Sequence, residues 1–390
     1  MDNRVYVVKC AGYDQAEDKL VELIELMGGM HRFAEKREKI ALKVNLLREA
    51  LPDEAVSTHP AVVSAVARMV RDSGARPVIV DSPGSGFRFT KKVLAGIYQT
   101  NGMSQAANES GAELNFDTTF DIVSFPEGNL IKRFEIITPI LRADGFLNLC
   151  KLKTHTFTTM TGAVKNHFGV IPGRAKPGYH AKLMDNGRFA GMLLDLIKVA
   201  PSRISIMDAV MAMEGDGPSA GDPRQVGLLL GAANPLALDV VAGEIIGLSR
   251  ESHPLLLEAE SRGLKPNRIG QIELIGPDIS EIRILDFKFP PTISQGTGFA
   301  NHLSWWQRPI QPFVKNSLTL KPSVSKEKCI ACGACHEACP VRAISMINTR
   351  KRPYARIDDD KCIRCYCCHE MCAEDAIILN RSLLYRFAHR

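Results

Sequence analysis

The sequence predicts an α/β domain, a mostly parallel sheet with helices on both faces, followed by a small α+β domain at the C-terminus. Three observations carry this expectation. Short apolar runs end repeatedly at polar or glycine-rich turns, from Val5–Val8 through Ile40–Val44 and Pro77–Val80 to Val226–Leu230. Helical periodicity fills the gaps between the first of these runs, which is the spacing of a parallel βαβ unit. Nine of the 11 cysteines fall between Cys329 and Cys372, in a stretch that reads as a separate unit.

Taken in order, Val5–Val8 is the first strand, and Leu20, Leu23, Ile24 and Met27 mark the apolar stripe of a helix that Gly28-Gly29 closes. Ile40–Val44 is the next strand. Ser57-Thr58-His59-Pro60 caps a helix over 61–73, which Gly74 ends. Pro77–Val80 is a strand that runs into Asp81-Ser82-Pro83-Gly84-Ser85-Gly86. Further strands are expected at Asp144–Leu149, Ile206–Asp208 and Val226–Leu230. The domain organisation is then 1–288 for the α/β domain, a proline- and glycine-containing connector at 289–322, a cysteine-rich domain at 323–381, and a tail at 382–390. The connector holds Trp305-Trp306, the only tryptophans, read as anchors packed along the large domain in preference to a docking patch.

Composition narrows the classes. The chain has 390 residues, 45% hydrophobic and 24% charged, ordinary for a globular protein. No secretory signal opens it, and the most apolar stretch, 226–248, is broken by Asn234, Pro235, Asp239 and Glu244, so no membrane span is expected. Net charge is +6, of which residues 321–390 supply +5. Metal clusters bound by thiolates would offset that excess, so nucleic-acid binding is not expected. Cys10 and Cys150 sit in apolar segments as buried thiols, and reduced thiols place the chain in the cytoplasm.

The cysteines carry the most specific signal. Cys329, Cys332, Cys335 and Cys339 form a C-x2-C-x2-C-x3-C run followed by Pro340, and Cys362, Cys365, Cys368 and Cys372 repeat it. This is the ligand spacing of bacterial two-cluster ferredoxins, in which the fourth cysteine of each run serves the other cluster. Two [4Fe-4S] clusters are expected: one on Cys329, Cys332, Cys335 and Cys372, the other on Cys362, Cys365, Cys368 and Cys339. Paired zinc knuckles need a longer spacer, and disulfides need a secreted chain. The halves form an internal repeat, C-I-x-C-x-x-C-H-E-x-C with Ala-Ile following at matching offsets, so the domain is expected to be a dicluster ferredoxin with pseudo-two-fold symmetry.

In the large domain the densest polar segment is Lys151–Gly173, with three lysines, two histidines and five threonines. Ligands of open α/β sheets sit beyond the carboxyl ends of strands, and these residue types suit an anion. His155, His167 and Lys165 are the acid–base candidates; Lys151, Lys153, Thr154 and Asn166 are the candidate ligand contacts. Ser82, Gly84 and Gly86 are candidate anion contacts through backbone N–H groups, although a simple turn explains them equally well. Asp208 ends its strand and Glu214 sits in the glycine-rich turn Met213–Pro218; both are further candidates. No nicotinamide or flavin fingerprint is present.

The runs LKVNLL (42–47), STHPAVV (57–63), VDSPGSG (80–86), KLKTH (151–155), TGAVKNHFGVIPG (161–173), MDAV (207–210) and EGDGP (214–218), with Tyr179-His180, resemble a prokaryotic domain-of-unknown-function family of iron–sulfur-centre proteins. Many of its members fuse this α/β domain to a C-terminal dicluster ferredoxin. The extra Cys367 fits the family pattern; Ala373 departs from it, standing where a proline usually follows the last cysteine. The resemblance implies fold and cluster content and leaves the substrate open. The function expected is electron relay by the clusters between a soluble donor or acceptor protein and a small anionic substrate or cofactor in the α/β domain, as a ferredoxin-type oxidoreductase. The alternatives are a non-catalytic carrier whose large domain docks partners, and a metallocofactor assembly factor with His155, His167, His180, Glu214 and Asp216 as metal ligands.

Overall fold

A computed structural model describes residues 2–84, 89–290, 320–349 and 352–380. The first unit is built on strands β1 (Arg4–Lys9), β2 (Lys39–Lys43), β3 (Arg76–Val80), β4 (Glu113–Leu114), β7 (Gly145–His155), β8 (Thr159–Thr161), β9 (Ile204–Glu214), β10 (Asp222–Ala232) and β11 (Glu273–Ile275). They form one sheet in the order β11-β1-β10-β9-β7-β2-β3-β4, with β8 folded back on β7. A separate hairpin of β5 (Phe120–Ser124) and β6 (Arg133–Ile137) packs beside it. The helices are α1 (Ala16–Leu26), α2 (Pro60–Asp72), α3 (Lys91–Thr100), α4 (Met103–Ser110), α5 (Thr138–Leu141), α6 (Ala163–Asn166), α7 (Lys176–Lys182), α8 (Asn186–Val199), α9 (Pro235–Ile245), α10 (Pro254–Ser261) and α11 (Ile279–Ile282).

Alternation along the strands splits the core into layers. Ile40 and Leu42 of β2 face α1 to α4 with Ile79, Leu147 and Leu149, whereas Ala41 faces α8 with Val78, Val80 and Phe146. A third cluster sets α9 against Val5, Val7, Met207 and Leu230. Both faces are covered, as a sheet with parallel strands requires. The pairs β2–β3, β2–β7, β3–β4, β7–β9 and β1–β11 are parallel; β10 lies antiparallel between β1 and β9.

One expectation is corrected. The Lys151–Thr161 segment is not a loop past a strand ending near Leu149: β7 runs on to His155 and turns back through β8. Its lysines are compatible with a strand because each is buried against polar partners.

In the second unit β12 (Lys321–Val324) pairs antiparallel with β15 (Ile377–Asn380), and β13 (Ile344–Ile347) with β14 (Tyr354–Ile357). Helices α12 (Ala334–Ala338) and α13 (Cys367–Glu370) follow the two cysteine loops. Strand β12 begins at Lys321, within the range expected for the connector. The rest of that connector from residue 291, with Trp305-Trp306, and the tail lie outside the described residues. No described helix is long and apolar enough to cross a membrane.

Candidate functional site

The two cysteine loops repeat each other in backbone conformation. Ala331 and Gly333 take left-handed φ of 56° and 83°; Arg364 and Tyr366, at the same places in the second loop, take 56° and 61°. Alternating left-handed residues curl each loop so that three sulfurs face inward. A tyrosine in that conformation is strained, and Tyr366 is held there by its hydroxyl, which donates to the Leu320 carbonyl at 3.2 Å. The loops enclose two cavities. One, of about 360 Å³, is lined by Cys329, Cys332, Cys335 and Cys372; the other, of about 320 Å³, by Cys339, Cys362, Cys365 and Cys368. The remaining lining is mainly apolar, including Met346, Ala355 and Ile377 in the first and Val341, Ile344 and Ile357 in the second.

These surroundings fit cubane clusters. Each cavity gathers four soft donors, and backbone N–H groups of Ala343 and Ala376 point at Cys339 Sγ and Cys372 Sγ, both at 3.1 Å. Burial, with the neighbouring Cys332, Cys372 and Cys329, pushes the Cys335 thiol up to about 11. Bound metal would reverse that by taking the thiolates. Cys367 is fully buried against Ala338 and Met371 and lines neither cavity.

The second centre lies at the carboxyl ends of β2, β3 and β7, in a cleft of about 500 Å³. Lys43 ends β2, Asp81 and Ser82 follow β3, Lys153 and His155 end β7, and Thr161 ends β8. Lys165 and Asn166 come from α6, Lys176 and His180 from α7. Lys43 Nζ lies 2.9 Å from Asp81 Oδ1 and also donates to Asn166 Oδ1 and the Val44 carbonyl. Burial drives Lys43 down and Asp81 up, and each holds the other charged against that drift. Lys153 donates to the carbonyls of Val56 at 2.6 Å and Pro218 at 3.2 Å; Lys176 donates to those of Ser82 and Pro83 at 2.6 and 2.7 Å. Lys165 Nζ stands 5.0 Å over the Phe168 ring. Burial lowers Lys153 well below its usual range, Lys165 less far, and Lys176 to about 7.

His155 is fixed in one tautomer. Its Nδ1 accepts from the backbone N–H groups of Phe157 at 3.0 Å and Thr158 at 3.3 Å, so the ring proton is on Nε2. Burial and the facing Lys165 hold it well below the usual histidine range, hence neutral. Two glycines let this layer close. A β-carbon on Gly169 would collide with Lys43 and Asp81, and one on Gly162 would collide with Asp239. Asp239 accepts from the backbone N–H groups of Ala163 and Val164 and so anchors the first turn of α6, which carries Lys165.

The two centres meet at Glu370. This residue ends α13, between Cys368 and Cys372, yet its side chain lines the lysine cleft with Oε1 3.4 Å from His155 Nε2. The Ser219 hydroxyl donates to its carbonyl oxygen at 2.7 Å. Burial pushes the carboxyl up to about 7, against the pull of Lys165, Lys153 and Lys176. The repeat makes the contrast plain. His336 and Glu337 of the first run are exposed, whereas His369 and Glu370 of the second are buried.

Several candidates from the sequence are placed elsewhere. Lys151 is paired with Asp208 at 2.8 Å and with the Tyr13 hydroxyl at 2.9 Å, and Tyr13 stacks on His59. Thr154 ties the turn after β9, donating to the Gly215 carbonyl at 2.9 Å. Glu214 accepts from the Lys288 N–H and faces Arg224. His167 turns away from the cleft, its Nδ1 donating to the Ala163 carbonyl at 2.8 Å and its ring packed edge-on to Phe146. Gly86 lies outside the described residues. Among the described residues no three His, Cys, Asp or Glu side chains converge on a single-ion site. Of the five residues considered for an assembly factor, His155 and His180 share the cleft lining, and His167, Glu214 and Asp216 are not part of it. Lys43, Lys176 and Glu370 were absent from the sequence-derived candidates.

An α/β domain closed by a cysteine-rich module defines an iron–sulfur protein, and comparison with known proteins agrees. A family described as a 4Fe-4S binding domain matches residues 322–345. The family Domain of unknown function (DUF362) matches residues 40–244, and the chain belongs to it. A thylakoid-associated protein of Synechocystis sp. is 37% identical over 251 residues, 63% of this chain and 74% of that protein. Among solved structures, the lactate racemase apoprotein from Thermoanaerobacterium thermosaccharolyticum aligns at 13% identity with a TM-score of 0.38, over 61% of this chain. A Thermotoga maritima protein aligns at 12% identity with a TM-score of 0.34, over 56% of this chain. The alignment spans 56% of each of those two solved chains.

Proposed function

We propose that this protein relays electrons through two [4Fe-4S] clusters to or from a small anionic substrate bound in the lysine cleft of the α/β domain. Cys329, Cys332, Cys335 and Cys372 would hold one cluster; Cys362, Cys365, Cys368 and Cys339 would hold the other. Each cluster, when bound, supplies one electron at a time, commonly at low potential. The observation that carries the reading is Glu370, which stands in the second cysteine run and lines the cleft. It leaves no gap between the metal-binding module and the ligand site.

The chain's own residues divide the remaining work. Lys153, Lys165 and Lys176 attract and orient the anion, Lys165 exchanges a proton with it, and His155 offers a neutral N–H. A soluble redox partner is expected at the opposite end of the module, where Cys332 is exposed beside His336 and Glu337. The thiol chemistry suits the cytoplasm. Iron and sulfide counted on anaerobically purified protein test the cluster content. About eight of each per chain is expected, and about four or fewer would refute two clusters. Reoxidation of the reduced protein by small anionic metabolites tests the relay; a broad panel with no oxidant in it would leave a carrier without a substrate.

A further inference from the structure

Counting donors in the cleft defines what it binds. An ammonium group has three N–H donors. Lys43 uses all three, on Asp81, Asn166 and the Val44 carbonyl. Lys153 and Lys176 each satisfy two on backbone carbonyls and, among the described residues, keep one, with no carboxylate bonded to either. Lys165 makes no hydrogen bond within the described residues beyond its position over Phe168. Around them, among the described residues, five buried polar atoms of the cleft lining stand without a hydrogen-bond partner: Ser82 Oγ, Thr161 Oγ1, His180 Nδ1, Asn45 Oδ1 and Glu370 Oε1. Ser82, Thr161 and His180 are 1%, 3% and 1% exposed. The two hydroxyls and the unused lysine N–H groups are donors whose burial an acceptor-rich guest would offset, and they outnumber the unpartnered acceptor oxygens of Asn45 and Glu370.

Charge sets the valence of that guest. With the Lys43–Asp81 pair neutral overall, Lys153, Lys165 and Lys176 face Glu370 alone. Burial draws these lysines towards the neutral form in the free protein, and a bound anion favours their protonated form, so binding takes up protons. His155 adds no charge, since backbone N–H groups occupy its Nδ1.

We propose that the cleft binds a small dianion, a dicarboxylate or a phosphoryl group, held by Lys153, Lys165 and Lys176 with Ser82 and Thr161 donating to its oxygens. This rests on reading the cleft as the ligand site and names the substrate class of that reading. The apolar lining is limited to residues such as Leu46, Leu47, Phe168 and Pro218, so recognition centres on the charged groups.

Calorimetry on the oxidised, anaerobic, full-length holoprotein tests this without any electron donor, so it can fail while the cluster content stands. The probes are inorganic phosphate, malonate and acetate near pH 8. At least one of the two dianions should bind about tenfold or more tighter than acetate, the worth of a charge-assisted hydrogen bond. Binding of phosphate alone identifies a phosphoryl ligand, and binding of malonate alone a dicarboxylate. Lys165→Met should weaken that binding by about tenfold, with Lys165→Arg restoring most of it, and Ser82→Ala should weaken it about fivefold, at unchanged iron content. The proposal is overturned if acetate matches both dianions or if neither dianion binds. It also fails if both Ser82→Ala and Lys165→Met leave the affinity unaltered.

Discussion

Replacing Glu370 by alanine should destabilise the protein by about 2–3 kcal/mol, whereas the same change at Glu337 should stay within about 0.5 kcal/mol. The two glutamates occupy equivalent places in the cysteine repeat, so Glu337 is an internal control for any effect on cluster assembly. Glu370 is 4% exposed, with Oε1 3.4 Å from His155 Nε2 and three lysines around it. Breaking a buried ion pair costs about 3–5 kcal/mol. The lower figure applies here because the histidine partner is neutral and burial pushes the Glu370 carboxyl up to about 7. The Ser219 bond is made to the Glu370 backbone and survives the substitution. Urea unfolding of the anaerobic holoprotein, followed by cluster absorbance with iron counted in each variant, measures the difference. Equal stabilities at equal iron content would refute the docking of the second cysteine run into the cleft.

Three further outcomes follow from the same geometry. Asp81→Ala leaves the Lys43 ammonium buried without its counter-ion, and should cost about 3–5 kcal/mol by denaturant unfolding. Asp239→Ala frees the N–H groups of Ala163 and Val164, costing about 2–4 kcal/mol and weakening anion binding through the displaced Lys165, as calorimetry would report. Stability should also rise with pH between about 7 and the usual lysine range. Lys176 is lowered to about 7 when folded, so across that window the unfolded chain holds a proton that the folded chain does not. The groups facing it are Asp81, Lys43, Lys165 and Glu370. Unfolding midpoints measured across the window should rise less steeply in Lys176→Met.

What could be read from the chain depended on how local each signal is. Cysteine spacing is local, and the two halves fold as their repeat requires, down to the left-handed residues at matching places. The strands at Val5, Ile40 and Pro77 were legible because apolar side chains face both sides of the sheet. The end of β7 was not, because buried lysines look like an exit to solvent until their partners are known, and those partners lie as far away as Val56, Asp208 and Pro218. Lys43 and Lys176 were missed for the same reason: each reads as a surface lysine within its own segment. Glu370 had one signal, the Cys-His-Glu-x-Cys repeat, but both copies look alike in sequence. Only the packing of the second against the cleft separates them. Thr154 was grouped with the site by its place beside Lys153, and Asp208 and Glu214 as strand-end and turn carboxylates. Yet β9 runs on past Asp208, which pairs with Lys151 across to β7, and Thr154 and Glu214 tie down the end of β9.

The most direct test of the account is electron paramagnetic resonance of the dithionite-reduced holoprotein, recorded with and without the dianion that calorimetry selects. Glu370 lies two residues from both Cys368 and Cys372 and lines the cleft, so filling the cleft should alter the spectrum, and Lys165→Met should shift the change to about tenfold higher dianion concentration. A spectrum that stays the same while calorimetry shows the cleft occupied would contradict the claim that metal module and ligand site form one redox centre.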